Sequence, residues 1–179
     1  KTVRIIMTTR RIVTALDEEG QSYFRYDGDT PGYLDLGRAI DHEIWVDDPA
    51  KPDSATSQDP VDTDIFNLSP PKGGSVVRVF TFLPNNEISN SPDVIAEAAR
   101  RFNTADSMDP DNPGMHTTPT IDYGIVLSGE ITLELDNGSA HLSTGDVVVQ
   151  RATPHAWRNT SAHPCTMLFV LISSPNYAD

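Results

Sequence analysis

With 179 residues, 37% of them apolar and 7% aromatic, the chain can form one globular domain with a sizeable core. Thirteen Lys and Arg against 26 Asp and Glu give a net charge of −13, which removes nucleic acid from the partner classes, because phosphate binding needs a basic face. No run approaches the roughly 20 apolar residues that span a bilayer, so no membrane partner is expected.

Two strand-like runs open the chain, at 3–7 and 11–16, and a turn at 17–20 returns a third at 22–26. A loop follows at 27–32, and 42–46 is a short strand. Residues 47–72 carry Pro49, Pro52, Pro60, Pro70 and Pro71 among many aspartates, and read as a long surface excursion. A β-branched run at 75–83 is the next strand. Ser91-Pro92-Asp93 is a helix start, with a capping serine, proline in the first turn and an acid beside it, and the helix runs on to Phe102. From Met115 onward the pattern is β. Strands at 122–127 and 130–136 flank Ser128-Gly129, Asp136-Asn137-Gly138 is a hairpin turn, and strands at 141–143, 147–151, 155–159 and 165–172 complete the set. Short strands with frequent turns predict an all-β sandwich or barrel. The expectation is a single domain over 1–179, with N-terminal strands at 1–46, the excursion at 47–72, and the barrel at 75–172.

Within the β region, His116 is followed by Thr118, Asp122 and Gly129. Fifteen residues separate Gly129 from Gly145, and His155 and Asn159 follow. This order resembles the cupin family. Its first motif sets Gly, five residues, His-x-His, three or four residues, Glu, six residues and Gly in line. Its second sets Gly, five residues, Pro-x-Gly, two residues, His, three residues and Asn. Here Thr118 stands for the second His and Asp122 for the Glu. Arg151 and Thr153 replace the Pro and Gly, and His155 arrives one residue early. The tight match covers 116–159. The resemblance implies a double-stranded β-helix (jelly-roll) barrel with an N-terminal strand extension and one short helix near the barrel mouth. It also implies a homodimer.

Side chains alternate faces along a strand. His116, Thr118 and Asp122 share one parity, and His155, Trp157 and Asn159 share another, so both sets can turn inward. Two imidazoles and one carboxylate have the composition of a metal site with open positions, for iron, manganese, zinc or nickel. The same His116, Asp122 and His155 equally suit metal-free acid–base chemistry. Thr118, Tyr123, Trp157, Phe102 and Met115 are the expected substrate contacts, with Phe102, Met108 and Met115 as an apolar wall if the helix caps the mouth. Arg158 has the parity to point outward, and Arg151 sits near the mouth. His141 and His163 read as surface residues. His42 is either a polar residue on a sheet face or a further pocket group.

The resemblance implies a small-molecule enzyme. The altered motif favours lyase or isomerase chemistry, by dehydration, decarboxylation or cyclisation, on an oxygenated polyketide-like or aromatic compound. A metal-dependent dioxygenase is the alternative, and a non-catalytic ligand-binding barrel is a third class. A sugar-isomerase-like cupin would want more pocket Lys and Arg than the motifs show. The lone Cys165 excludes an internal disulfide, reads as packing, and suits a reducing, cytoplasmic setting. The chain opens on Lys1 and leaves its native start open, with no signal-peptide pattern ahead of the first strand.

Overall fold

The computed structural model describes residues 8–51, 58–61, 63–84, 87–88, 91–102, 109, 111–112 and 114–174. The strand expected at 3–7 and the wall residue Met108 lie outside them. An N-terminal ribbon pairs β1 (Arg10–Leu16) with β2 (Ser22–Asp29). The second strand runs three residues beyond its expected end at Tyr26, into the stretch that the sequence marks as a loop. Beyond the ribbon come β3 (Leu34–Asp35), β4 (Ala39–Asp47), β5 (Ser75–Phe82) and the helix α1 (Pro92–Phe102). The rest is β6 (Thr120–Ser128), β7 (Glu130–Leu135), β8 (Gly138–Ser143), β9 (Val147–Arg151), β10 (Ala156–Arg158) and β11 (Cys165–Ser173).

Two antiparallel sheets face one another. The larger has the order β3-β4-β5-β11-β6-β9 and the smaller the order β10-β7-β8. Their shared core joins Val126, Met167, Phe169 and Leu171 of the large sheet to Ile131 of the small one, with Leu142 and Trp157 packed against it. This is the double-stranded β-helix that the resemblance implies. Cys165 is fully buried in the core, and burial pushes its thiol up to about 11, so it is packing and not a nucleophile.

The chain passes from the large sheet to the small one between β6 and β7, at Gly129. Its φ of +82° is left-handed, and a Cβ there would lie 2.6 Å from the Pro164 carbonyl oxygen and 3.0 Å from the Cys165 Cα. Both neighbours are backbone and cannot swing aside. Gly129→Val is therefore expected to cost about 2–4 kcal/mol, from conformational strain plus overpacking. A urea midpoint unchanged from the parent would contradict this account of the corner.

Residues 47–72 are not wholly a surface excursion. Val61, Phe66 and Leu68 are buried, and the last two pack with Leu34 and Phe102 in a second cluster. The cause is long-range. The last turn of α1 leaves carbonyls without helical partners, and the Phe66 amide donates to the Arg101 carbonyl at 2.7 Å. Arg101 Nη2 donates in turn to the Thr63 carbonyl at 2.7 Å. Arg11 of β1 bonds Asp59 and the Ile44 carbonyl, tying the ribbon to this segment and to the barrel. No helix among the described residues is long and apolar enough to cross a membrane.

Candidate functional site

Between the sheets lies a cavity of about 150 Å3. Phe80, Phe82, Trp157 and Phe169 form its body, with ring centroids of neighbouring pairs 5.4–6.4 Å apart. Phe102 of α1 meets Phe80 edge-on, so the helix contributes to the wall as expected of a cap.

His116 and His155 stand on neighbouring segments and form a β-bridge outside the named strands. Each backbone amide donates to the other's carbonyl at 3.0 Å, which fixes the two side chains side by side. Their ring centroids are 4.3 Å apart and their planes are tilted by 51°. His116 Nδ1 donates to the Gly114 carbonyl and His155 Nδ1 to the Thr153 carbonyl, both at 2.9 Å. A carbonyl only accepts, so Nδ1 carries the hydrogen and Nε2 the lone pair in each neutral ring. Burial lowers the pKa of His116, against the Gly114 carbonyl. Burial, joined by the neighbouring His116, lowers His155 to about 4. Both imidazoles are therefore neutral at ordinary pH. His155 follows a strained loop in which Ala152 has a φ of +47°, a conformation that non-glycine residues rarely adopt.

Asp122 of β6 also borders the cavity and is buried. Burial raises its pKa to about 6, against the opposing pull of the nearby Thr120 hydroxyl, the Arg78 charge and the Thr118 hydroxyl. Thr120 Oγ1 donates to Thr118 Oγ1 at 2.7 Å. Asp122 Oδ1 has no hydrogen-bond partner among the described residues. The shift carries a sign for stability. The folded state holds its proton to higher pH than the unfolded chain, so ionisation costs the fold progressively from pH 3.8 to about 6, and fully above that. At one pKa unit per 1.36 kcal/mol the cost has an upper bound of about 3 kcal/mol. Asp122→Asn cannot ionise. It is expected to be more stable than the parent by about 1–3 kcal/mol at pH 7 and to lose that advantage at pH 4, as read from urea unfolding at both pH values. An advantage that grows on acidification would contradict the assignment.

The expected set His116, Asp122 and His155 does not come together as a metal site. Among the described residues no group of three His, Cys, Asp or Glu side chains is placed to hold an ion. Thr118 occupies the motif position of a further imidazole, and a hydroxyl is a poorer ligand than the ring it replaces. The residues present do not fit a three-ligand metal, and no step below is routed through one.

The remaining expectations divide. Thr118, Trp157 and Phe102 border the cavity. Tyr123 does not: it is 42% exposed, because it follows Asp122 directly and strand alternation turns it to the outer face. Met115 is buried but lies outside the cavity wall, one residue from His116 and on the other side of the chain. His141 is exposed near Glu130 and His163 is exposed, as the sequence predicts. His42 is buried against Thr30 and Tyr33, away from the cavity wall. Asn159 borders the cavity but spends its amide on the Phe82 and His163 carbonyls, a structural use.

Arg158 reverses its expected direction. It borders the cavity and donates to Glu134 Oε2 at 3.0 Å and Asn112 Oδ1 at 2.7 Å. Arg38 and Arg78 border it too, so the wall is richer in arginine than the motifs suggest. Arg78 is wholly buried and donates to Asp41 Oδ2 at 3.2 Å, Glu43 Oε2 at 3.1 Å and the Asn67 carbonyl at 2.6 Å. Burial raises Asp41 to about 6 against the Arg78 charge. A single arginine inside the apolar run of β5 is the one signal of this cluster in the sequence.

An all-β barrel with an aromatic cavity and a neutral histidine pair at its polar edge defines the class. Comparison with known proteins agrees. The Cupin domain family matches residues 107–171. Phomopsin biosynthesis cluster protein C' of Diaporthe leptostromiformis is 32% identical over 163 residues, covering 87% of this chain and 73% of that protein. Cupin-domain-containing oxidoreductase srdD of Neurospora crassa is 30% identical over 185 residues, covering 94% and 77%. The chain belongs to the cupin family. A solved cupin superfamily protein from Desulfitobacterium hafniense is 11% identical, covers 79% of this chain and 83% of its own, and has a TM-score of 0.42.

Proposed function

We propose that the chain is a cupin enzyme that moves protons on an oxygenated polyketide-like or aromatic compound held in the cavity. The observation that carries this reading is the histidine pair. Two neutral rings with Nδ1 committed to backbone carbonyls present Nε2 lone pairs beside an apolar cavity. A group that keeps a lone pair at neutral pH and borders the ligand space is a general base. Asp122, whose pKa is raised to about 6, is protonated below that pH and only in part at pH 7, so its service as an acid should fade as pH rises through about 6.

In a dehydration, His155 or His116 Nε2 takes the proton α to a carbonyl. The C–H electron pair forms the new double bond, and the β-hydroxyl leaves as water with a proton from Asp122. Decarboxylation, isomerisation and cyclisation use the same pair of roles. The aromatic wall excludes water and aligns a flat carbon body. The names of relatives place them in biosynthesis clusters, which supports a metabolite of this kind as substrate.

A second reading is favoured by a specific observation: several relatives are named cupin-domain-containing oxidoreductases. The two part on product mass. The protein is incubated with β-hydroxy and β-keto aromatic compounds in deuterium oxide under air. Proton transfer gives α-deuteration and isomeric, dehydrated or decarboxylated products. Products that gain oxygen or lose hydrogen, with oxygen consumed, would replace it with the oxidative reading.

A further inference from the structure

We propose that the cavity mouth carries a carboxylate-binding subsite formed by Arg38 and Arg158, so that the compound taken up is an organic acid with a flat apolar body. This rests on reading the cavity as a small-molecule site and not on the acid–base roles of the histidines.

Arg38 sits in the turn between β3 and β4. That turn is closed by the Leu36 amide on the Ala39 carbonyl at 2.8 Å, and the Arg38 carbonyl accepts from the Leu83 amide at 3.0 Å. Arg158 ends β10. This turn and this strand end belong to opposite sheets and meet over Gly114, whose φ is +92°. A methyl group on Gly114 would lie 2.5 Å from Arg38 Nη1 and 3.2 Å from Arg158 Nη1. Both guanidinium ends therefore close on one point of the cavity rim. Burial, and then the charge of Arg158, lower the pKa of Arg38. The fold thus holds two like charges against each other. Glu134 and Asn112 grip Arg158 from the side and fix the plane of its fork.

Two charged Nη1 groups on one volume suit a carboxylate, whose oxygens can accept one charge-assisted bond from each. Trp157 and Phe82 lie next along the wall, with ring centroids 6.2 Å apart, and the Trp157 ring is 6.1 Å from that of His155. An acid anchored at the rim would lay its carbon body on these rings and bring its far carbons toward the histidines. The carboxylate is then a handle and not the reacting centre.

The test uses 2-naphthoate and its uncharged analogue 2-naphthamide as probes. Binding is followed by chemical-shift changes of the Trp157 indole and arginine Nε–H groups in 15N-labelled protein. The acid should bind at least about tenfold more tightly than the amide. Arg38→Gln and Arg158→Gln should each remove most of that preference. Arg38→Lys, which keeps the charge and loses the fork, should retain part of it, and thermal melts confirm that each variant is folded. His155→Ala should leave the preference standing. Equal binding of acid and amide, no saturable binding of the acid at millimolar concentration, or a preference that survives both Gln variants would overturn the subsite. If proton exchange is absent while the acid preference holds, the acid–base reading fails and the subsite stands.

Discussion

Arg78→Leu is expected to destabilise the protein by about 3–5 kcal/mol, one of the two largest effects the structure predicts. Arg78 is wholly buried and serves Asp41, Glu43 and the Asn67 carbonyl together. Its guanidinium also lies over Phe80 and Phe102, 5.9 and 5.6 Å from their centroids. A leucine takes from two interior carboxylates the cation that both of them bond, and breaking a buried pair costs more than never building it. The sign with pH is fixed. Without Arg78 both carboxyls should hold protons to higher pH, so the deficit should shrink on acidification and be greatest at neutral pH. Arg78→Leu combined with Asp41→Asn and Glu43→Gln should recover part of the loss, because no uncompensated charge remains. Urea midpoints at pH 5 and pH 7 read all of this. A single variant within about 1 kcal/mol of the parent at pH 7 would show that the cluster is not the electrostatic unit described here.

The second large effect falls on turnover. His155→Ala is expected to lower the rate of proton transfer by about 10²–10⁴, the range for loss of a positioned general base. The fold should survive, since the bridge to His116 uses backbone amides and carbonyls that alanine retains. His116→Ala should be the milder change if His155 is the base, and the harsher one if the roles are exchanged. Product mass should be unchanged in whatever turnover remains, because the pathway is slowed and not redirected. Full activity in both single variants would remove the pair from the chemistry.

Much of the fold is legible in the order of the amino acids. The Asp136-Asn137-Gly138 turn joins β7 and β8 as its residue types predict, and Ser128-Gly129 marks the corner between the sheets. Shared parity is enough to put His116, Thr118 and Asp122 toward one space. The same rule, applied strictly, places Tyr123 outside, so its expected ligand role conflicts with the alternation that places Asp122 inside. Parity fails at Arg158 for a physical reason. β10 is only three residues long, and a long side chain at a strand end can turn back to the rim, where Glu134 and Asn112 hold it. The burial of Phe66 and Leu68 is not readable from a Pro- and Asp-rich segment, because it depends on the distant end of α1. The nearness of Arg38 to Arg158 carries no local signal at all, since it arises where a turn of one sheet meets a strand end of the other. The metal expectation rests on residue types in the right order. The structure adds that no three such ligands gather among the described residues.

The most direct measurement is solvent-deuterium incorporation α to the ketone of an aromatic β-hydroxy ketone, followed by NMR on the parent and His155→Ala side by side. Incorporation by the parent, reduced about 10²–10⁴-fold in a folded His155→Ala, is the predicted result. No incorporation above buffer by the parent, or an equal rate in the variant, would contradict the claim that this histidine pair is a working base.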